Sequence, residues 1–246
     1  MKTSDKILLF STLGALGLFV TVDLLHFAKY RAGEVLTFKE LETEDFDRHP
    51  MDGIHWLVLD GPIRTTMRPA EQFEFDIPKQ RESQFYWLRK GDTLQIFTKQ
   101  RYGRDAHQGW FNYFEYPSVH IYCPQLKGIR FNKGFAVLEN EEGRKGFNTS
   151  LILDSTQLWV GNYYPDHDTV TKIEPWDSIT VRAVNSNFVI NNQAHVKAIN
   201  LELDGKSQAS DRSSTIDTGY IKGDTSTYFS MRGKNFTKLR FDAIDH

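Results

Sequence analysis

The last quarter of the chain repeats its pattern of apolar and polar positions every 20 residues. Two columns of apolar residues appear when residues 181–246 are aligned in rows of 20, and a polar residue follows each apolar one. The first column contains Val181, Leu201, Ile221 and Phe241, and the second contains Val196, Ile216 and Phe236. An apolar residue followed by a polar one is the alternation of a β-strand with one buried face. A fixed period of this kind is typical of repeat architectures.

Stacking these rows predicts a parallel β-solenoid with about 20 residues per coil. Each apolar column would then form a continuous ridge in the core. The polar residues after the first column would form a surface ladder of alternating charge, Arg182, Glu202, Lys222 and Asp242. Opposite charges at neighbouring sheet positions stabilise strand pairing. A constant cross-section also needs large residues beside small ones, so we expect Ala183 to face Val189 and Gly223 to face Phe229.

An uncharged, largely apolar segment of 16 residues, Ile7–Val22, lies near the beginning of the chain. A bilayer-spanning helix needs about 20 apolar residues, and the segment reaches residue 27 if Asp23 lies at the interface. Residues 1–30 are therefore predicted to be an N-terminal hydrophobic helix that anchors the protein in a membrane through residues 7–27. A cleaved signal peptide and a buried core helix are the alternatives. Anchoring places the rest of the chain outside the cytoplasm, in the periplasm, and cleavage makes the protein secreted.

The chain after this helix is polar and then rich in strand patterns. Residues 31–52 are acidic and are predicted to be a linker. From residue 53 onward, short alternating segments about ten residues apart are separated by turn signals such as Asp60-Gly61-Pro62. This pattern predicts an all-β domain over residues 53–246.

Composition narrows the function classes. Hydrophobic residues make up 39% of the chain and the formal net charge is −2, which indicates a globular protein and argues against nucleic-acid binding. The single cysteine, Cys123, excludes an internal disulfide and a cysteine-based metal site, and is expected to be a core residue.

Two carboxylates are the strongest candidates for catalysis. Asp204 and Asp224 occupy the same column of neighbouring rows, and a close carboxylate pair is the machinery of polysaccharide hydrolases. Each also adjoins a glycine, as turn-forming aspartates do, and this second interpretation is favoured. The closest histidine cluster, residues 166–168, lacks metal-ligand spacing. We therefore predict no catalytic residue, no metal site and no cofactor.

Aromatic residues concentrate in two segments, and their rings could stack on sugars or fill a groove of a partner. The candidate ligand-binding residues are Trp110, Tyr113, Tyr116, Tyr163 and Tyr164. The alternative is that the segment 102–116 caps an open end of the fold.

The order of these segments resembles the GIN domain family, also known as the auto-transporter adhesin head domain, of Bacteroidetes envelope proteins. The segments that carry the resemblance are Leu57–Pro62, Lys90–Ile96, Val119–Pro124, Leu201–Ser207 and Ile221–Ser226. The resemblance covers residues 53–246. It implies a right-handed parallel β-solenoid preceded by short antiparallel strands, located outside the cytoplasm and without catalysis.

These observations favour a membrane-anchored, non-catalytic module for binding or adhesion at the cell envelope, with a glycan or an envelope protein as ligand. An envelope polysaccharide enzyme that uses Asp204 and Asp224 is the first alternative. The second is a structural or signalling subunit that forms a homo-oligomer through its C-terminal coil.

Overall fold

The computed structural model describes residues 3–31, 45–99, 116–140, 148–161, 175–191 and 194–243. The chain divides into two compact units, Met1–Asp45 and Phe46–His246. The first unit contains helix α1, Thr3–Arg31. The second contains the strands, beginning with a strand at Phe46–Pro50 that lies inside the predicted linker.

Helix α1 exposes large apolar side chains along its described length. Eight of them have between 41% and 71% of their surface exposed, namely Leu16, Leu18, Phe19, Val20, Val22, Leu24, Leu25 and Phe27. Within the ranges given above, no helix has the length and apolar character needed to cross a membrane. The prediction of a transmembrane helix is therefore not confirmed.

All 18 described strands of the second unit belong to one of two large sheets. In chain order the described strands are β1 Phe46–Pro50, β2 Trp56–Asp60, β3 Arg64–Pro69, β4 Glu74–Pro78, β5 Phe85–Lys90, β6 Thr93–Thr98, β7 Ser118–Cys123, β8 Gly128–Asn132, β9 Phe135–Leu138, β10 Thr149–Asp154, β11 Gln157–Val160, β12 Trp176–Val184, β13 Asn187–Ile190, β14 His195–Asp204, β15 Gln208–Asp211, β16 Thr215–Gly223, β17 Tyr228–Ser230 and β18 Leu239–Ala243. A 3-10 helix, Lys79–Gln84, precedes β5, and a short helix α2, Gly233–Phe236, precedes β18.

The prediction of a β-solenoid is wrong, because the strands form a β-sandwich of two nine-stranded mixed sheets. Sheet I has the order β1-β4-β7-β3-β9-β11-β13-β15-β17, and sheet II has the order β18-β16-β14-β12-β10-β8-β2-β6-β5. The N-terminal strands β2 and β3 are inserted between later strands, and β1, β4 and β5 pair antiparallel with their neighbours. The 20-residue period fixes the separation along the sequence between residues that pair in neighbouring strands of one sheet. It does not determine how the two sheets are arranged.

The register predicted from the first apolar column is confirmed. Val181 pairs with Leu201, Leu201 with Ile221, and Ile221 with Phe241 along sheet II. The charged residues that follow them pair in the same order. The second column holds only in part: Val196 pairs with Ile216, whereas Phe236 lies in α2 and is 55% exposed.

Core volume is balanced between the two sheets. Consecutive strands belong to opposite sheets, and a small core residue in one strand is matched by a large core residue in the other. The pairs are Phe131 with Ala136, Ala183 with Phe188, Leu203 with Ala209, and Gly223 with Phe229. A Cβ at Gly223 would lie 2.9 Å from the Phe229 ring, so only glycine fits there. The predicted partner of Ala183 was wrong by one residue, because Val189 belongs to a separate apolar cluster with Phe135, Val137 and Trp159.

A ladder of buried hydroxyl groups joins the turns that lead from sheet II to sheet I. The backbone N–H of Thr156 donates to Ser186 Oγ at 3.0 Å, and the N–H of Ser186 donates to Ser207 Oγ at 3.2 Å. Each of these hydroxyls also donates a hydrogen bond to a backbone carbonyl within its own turn, as Ser207 does to Asp204 O at 2.6 Å. These turns need left-handed backbone, with φ of 50° at Ser155, 48° at Asn185 and 61° at Gly205.

A buried asparagine within α2 joins this helix to neighbouring turns. Asn235 is fully buried, and its side-chain amide donates to Asp211 Oδ2 at 2.8 Å and to Ser214 O at 3.1 Å. Its Oδ1 accepts the N–H of Ile216 at 3.1 Å. These three bonds satisfy polar groups of neighbouring turns that would otherwise be buried without partners.

We expect Ser207→Ala to lower the free energy of unfolding by about 2 kcal/mol, because it leaves the buried N–H of Ser186 without its acceptor. Urea unfolding followed by circular dichroism measures this change. Ser230→Ala, at an exposed position of β17, is the matched control and should change stability by less than about 0.5 kcal/mol. Equal effects of the two substitutions would contradict a stabilising role for the hydroxyl ladder.

Candidate functional site

A polar cavity of about 450 Å³ opens beside the beginnings of β2, β8 and β10. Its lining is polar except for one leucine, and it consists of His55, Gln125, Leu126, Lys127, Asn148, Thr149, Ser150 and Thr180. Hydroxyl, amide and imidazole groups dominate this lining, so the cavity offers both donors and acceptors of hydrogen bonds.

Backbone hydrogen bonds fix the segments that surround the cavity. The N–H of His55 donates to Asp92 O at 2.8 Å, and the N–H of Lys127 donates to His55 O at 2.9 Å. The Gln125 amide donates to Asn148 O at 2.7 Å. Thr149 is 8% exposed, and its Oγ1 has no hydrogen-bond partner within the described residues. Thr149 lies on the buried face of β10, whereas the next residue, Ser150, lies on its exposed face.

Trp56 adds an exposed aromatic ring at the margin of this cavity. It follows His55 in the chain, and 41% of its surface is exposed on the outer face of sheet II. Its ring lies over Gly128, where any Cβ would overlap the indole. Trp56 pairs in register with Gly128, and Gly128 pairs with Ser150. The missing side chain of Gly128 thus leaves the space that the indole occupies, at the register position next to Ser150.

This combination is suited to a carbohydrate ligand. The apolar C–H face of a sugar ring packs on a flat aromatic surface, and its hydroxyl groups pair with side-chain hydroxyls and amides. Among the described residues of the lining, Lys127 alone has a permanent charge, so their chemistry favours a neutral saccharide over a highly charged one. We call Trp56 and the cavity together the Trp56 site.

The ligand-binding residues named from the sequence stay a prediction. Trp110, Tyr113, Tyr163 and Tyr164 lie outside the described residues. Tyr116 is described and is 3% exposed, so its ring is buried. Trp56 is not among the candidates named from the sequence. The alternation of Leu57 and Leu59, which are both buried, was the signal that the Trp56 side chain points outward.

A second exposed aromatic surface lies on β5 and β6 of the same sheet. The rings of Tyr86 and Phe97 stack with centroids 4.7 Å apart and an interplanar angle of 8°. Tyr86 is 48% exposed and Leu88 is 46% exposed. The lining of the cavity includes no residue of β5 or β6, so this surface provides a comparison for the Trp56 site.

Asp204 and Asp224 bind backbone groups of their own turns. The N–H of Gly205 donates to Asp204 Oδ1 at 2.7 Å and to Asp224 Oδ2 at 2.9 Å. Hydrogen bonds from Ser226 hold the pKa of Asp224 at about 2, below its ordinary value of 3.8. A carboxylate held ionised in this way is a poor general acid. This geometry assigns the pair to turn formation, and within the described ranges no cluster of His, Cys, Asp or Glu could hold a metal ion.

Two other titratable groups lie in register on sheet I. Burial lowers the pKa of His120 from 6.5 to about 4, with the charges of Arg68 and Arg64 acting in the same direction. Asp76 pairs with His120 across β4 and β7, and its burial raises the pKa of its carboxyl. Arg48 Nε lies 3.5 Å from Asp76 Oδ1. His120 is therefore a neutral imidazole at pH 7.

Cys123 is a core residue, as predicted. Its side chain is fully buried, and burial raises the pKa of the thiol well above its ordinary value. A buried thiol of this kind is a poor nucleophile.

No protein-family model and no curated protein matches this chain, so the resemblance to the GIN domain family stays a prediction. Solved structures similar to it include proteins from Bacteroidetes described as a "putative adhesin". One, from Parabacteroides distasonis, is 12% identical with a TM-score of 0.45, covering 81% of this chain and 77% of that one. Another, from Bacteroides fragilis, is 12% identical with a TM-score of 0.38, covering 81% and 96%.

A third similar structure, also from Parabacteroides distasonis, is described as a "putative lipid binding protein". It is 10% identical with a TM-score of 0.35, and the match covers 82% of this chain and 96% of that one. These names describe adhesion or binding. TM-scores below 0.5 carry no argument about this chain, so its function is argued from its own residues.

We expect the stability of the protein to fall as the pH is lowered from 6.5 to about 4, because of His120. Its pKa is depressed in the folded state, so the unfolded chain takes up this proton first. Thermal unfolding midpoints measured between pH 7 and pH 4 should show a smaller decrease for His120→Gln than for the wild type. Parallel curves for the two proteins would contradict this account.

Proposed function

We propose that this protein is a non-catalytic module for binding or adhesion at the cell envelope, and that the Trp56 site binds a neutral oligosaccharide. The observation that carries the proposal is an exposed indole that lies over Gly128, beside a cavity of hydroxyl and amide groups. A few convergent polar groups next to an apolar contact surface are typical of small-molecule sites.

The arrangement of the site supports recognition of a ring-shaped ligand with hydroxyl groups. Trp56 offers an apolar face, and Ser150 and Thr180 follow it in register across sheet II. A sugar bound against the indole would place its hydroxyl groups toward these side chains.

The carboxylates support binding over catalysis. A hydrolase needs one carboxyl that is protonated at working pH and a second that is ionised. Hydrogen bonds from Ser226 hold Asp224 ionised, and both aspartates accept the N–H of Gly205. These bonds use the carboxylates to close a turn.

Location at a membrane is the second part of the proposal. Residues 7–27 carry one charged side chain, Asp23, and α1 exposes eight large apolar side chains. An apolar helix surface of this extent is stabilised by contact with lipid. We propose that residues 7–27 attach the protein to the membrane and that the β-sandwich lies outside the cytoplasm.

Trp56→Ala should weaken oligosaccharide binding about tenfold or more, because it removes the stacking surface. The full-length protein in mild detergent is screened on immobilised neutral oligosaccharides, and the affinity for those retained is measured by calorimetry. Trp56→Phe should retain part of the affinity.

Tyr86→Ala is the matched control, since Tyr86 is an exposed aromatic residue of the same sheet outside the cavity. It should leave the affinity unchanged. Equal losses for Trp56→Ala and Tyr86→Ala, at unchanged thermal stability, would place the binding surface elsewhere. Failure of the wild type to bind any neutral oligosaccharide would overturn the proposal.

Leu18→Lys combined with Leu25→Lys should release the protein from lipid vesicles, because each introduced charge opposes burial in lipid. The two leucines are 67% and 59% exposed in α1. Flotation with vesicles of neutral phosphatidylcholine measures the bound fraction, which should fall about tenfold or more. The control combines Thr225→Lys with Asn200→Lys, which adds the same charge to exposed positions of the sandwich. Equal flotation of all three proteins would argue against attachment through α1.

A further inference from the structure

The end of the sandwich formed by α2, β17 and β18 has an exposed cluster of aromatic rings. Phe236 stacks on Phe241 with centroids 4.9 Å apart, and Phe229 meets Phe241 edge-on at 5.9 Å. Phe236 is 55% exposed, Phe241 is 41% exposed and Tyr228 is 61% exposed. Aromatic residues exposed together in this way mark interaction surfaces.

Strand β18 is an open edge next to this cluster. Within the described strands, β18 pairs with β16 and with no other. Its second row of backbone N–H and C=O groups therefore faces outward, and such a row is a template for pairing with another strand.

The sequence of β18 is self-complementary when two copies run antiparallel. Its residues are Leu239, Arg240, Phe241, Asp242 and Ala243. Pairing centred on Phe241 places Arg240 of each copy opposite Asp242 of the other. Opposite charges in directly facing positions stabilise an antiparallel pair, and like charges destabilise it. A parallel pairing in the same register would place Arg240 beside Arg240 and Asp242 beside Asp242.

The faces of the strand also match in this arrangement. Phe241 continues the inward column of Leu201 and Ile221, and Arg240 and Asp242 are exposed on the outer face. A two-fold axis perpendicular to sheet II keeps inner and outer faces on the same side in both copies. The two Phe241 rings then meet at the core side, and both charge pairs lie at the outer side.

We propose that two copies of this chain pair through antiparallel β18 strands centred on Phe241, which joins their copies of sheet II into one continuous sheet. The occupant of the open edge is thus a second copy of this chain. The aromatic cluster of Phe229, Phe236 and Phe241 lies beside the junction, where the second copy reduces its exposure to water.

Charge reversal tests the pairing directly. The full-length wild type, Arg240→Asp, Asp242→Arg and the double variant are compared by sedimentation velocity in mild detergent over a range of concentrations. Each single variant places like charges opposite one another at two positions, and should weaken dimerisation about tenfold. The double variant restores opposite charges across the junction and should recover the wild-type dimer.

The double variant also separates the junction from effects inside one chain. Asp242 pairs with Lys222 in register, so Asp242→Arg creates a like-charge contact within the chain. The double variant retains that contact and also lacks the hydrogen bond from Tyr220 to Asp242, so neither of these effects explains a recovery of the dimer. Association through α1 would be equal in all four proteins. Equal association of the four, or no recovery in the double variant, would overturn the proposal.

A cross-linking experiment provides an independent test. The only native cysteine, Cys123, is fully buried, so a single introduced cysteine reacts alone. Phe241→Cys places two thiols in directly facing positions, and mild oxidation should give a disulfide-linked dimer. Thr225→Cys, at an exposed position outside β18, should give none. Equal cross-linking of both variants, or an open series of larger oligomers for the wild type, would exclude this two-fold pairing.

Discussion

The whole sandwich depends on each turn being held in register with the turn before it. Buried hydroxyl groups at Ser186 and Ser207 do this, because each joins a carbonyl of its own turn to the N–H of the turn before it. A slip of one residue would turn every side chain of a strand to the other face. It would also leave these hydroxyls and N–H groups buried without partners. The apolar columns of sheet II and the outward position of Trp56 both follow from this register.

Sequence reasoning recovered the register and missed the architecture. The period from Val181 to Phe241 identified strand partners correctly, because residues stacked along a sheet share one environment. It could not show that β2 and β3 are inserted between later strands, since those pairings join segments of the chain that have no common period. Phe236 was misplaced because Asn235, a buried polar residue, holds that segment as a helical turn. The candidate site was missed for a related reason: the role of Trp56 depends on Gly128, 72 residues away.

Balance of volume connects the fold to both proposed surfaces. Where one sheet contributes a small residue to the core, the other contributes a large one, as Ala183 and Phe188 do. Gly128 shows the same matching of volumes on the outer face of sheet II, because its missing side chain provides the space for the Trp56 indole. At β18 the balance stops, since no row among the described residues lies beyond the Phe241 ring, which is 41% exposed. A binding site and an open edge thus arise where the regular packing is interrupted.

The unequal lengths of the rows have a consequence for how such a protein can diversify. Val181 and Leu201 are 20 residues apart, whereas Leu151 and Val181, which pair in the same way, are 30 residues apart. The extra residues between β11 and β12 leave the pairing of both strands unchanged. The sandwich is therefore a scaffold in which this connection can be lengthened, shortened or exchanged without altering the framework. We expect the connection between β11 and β12 to tolerate sequence variation, or a grafted foreign peptide, better than the strands do.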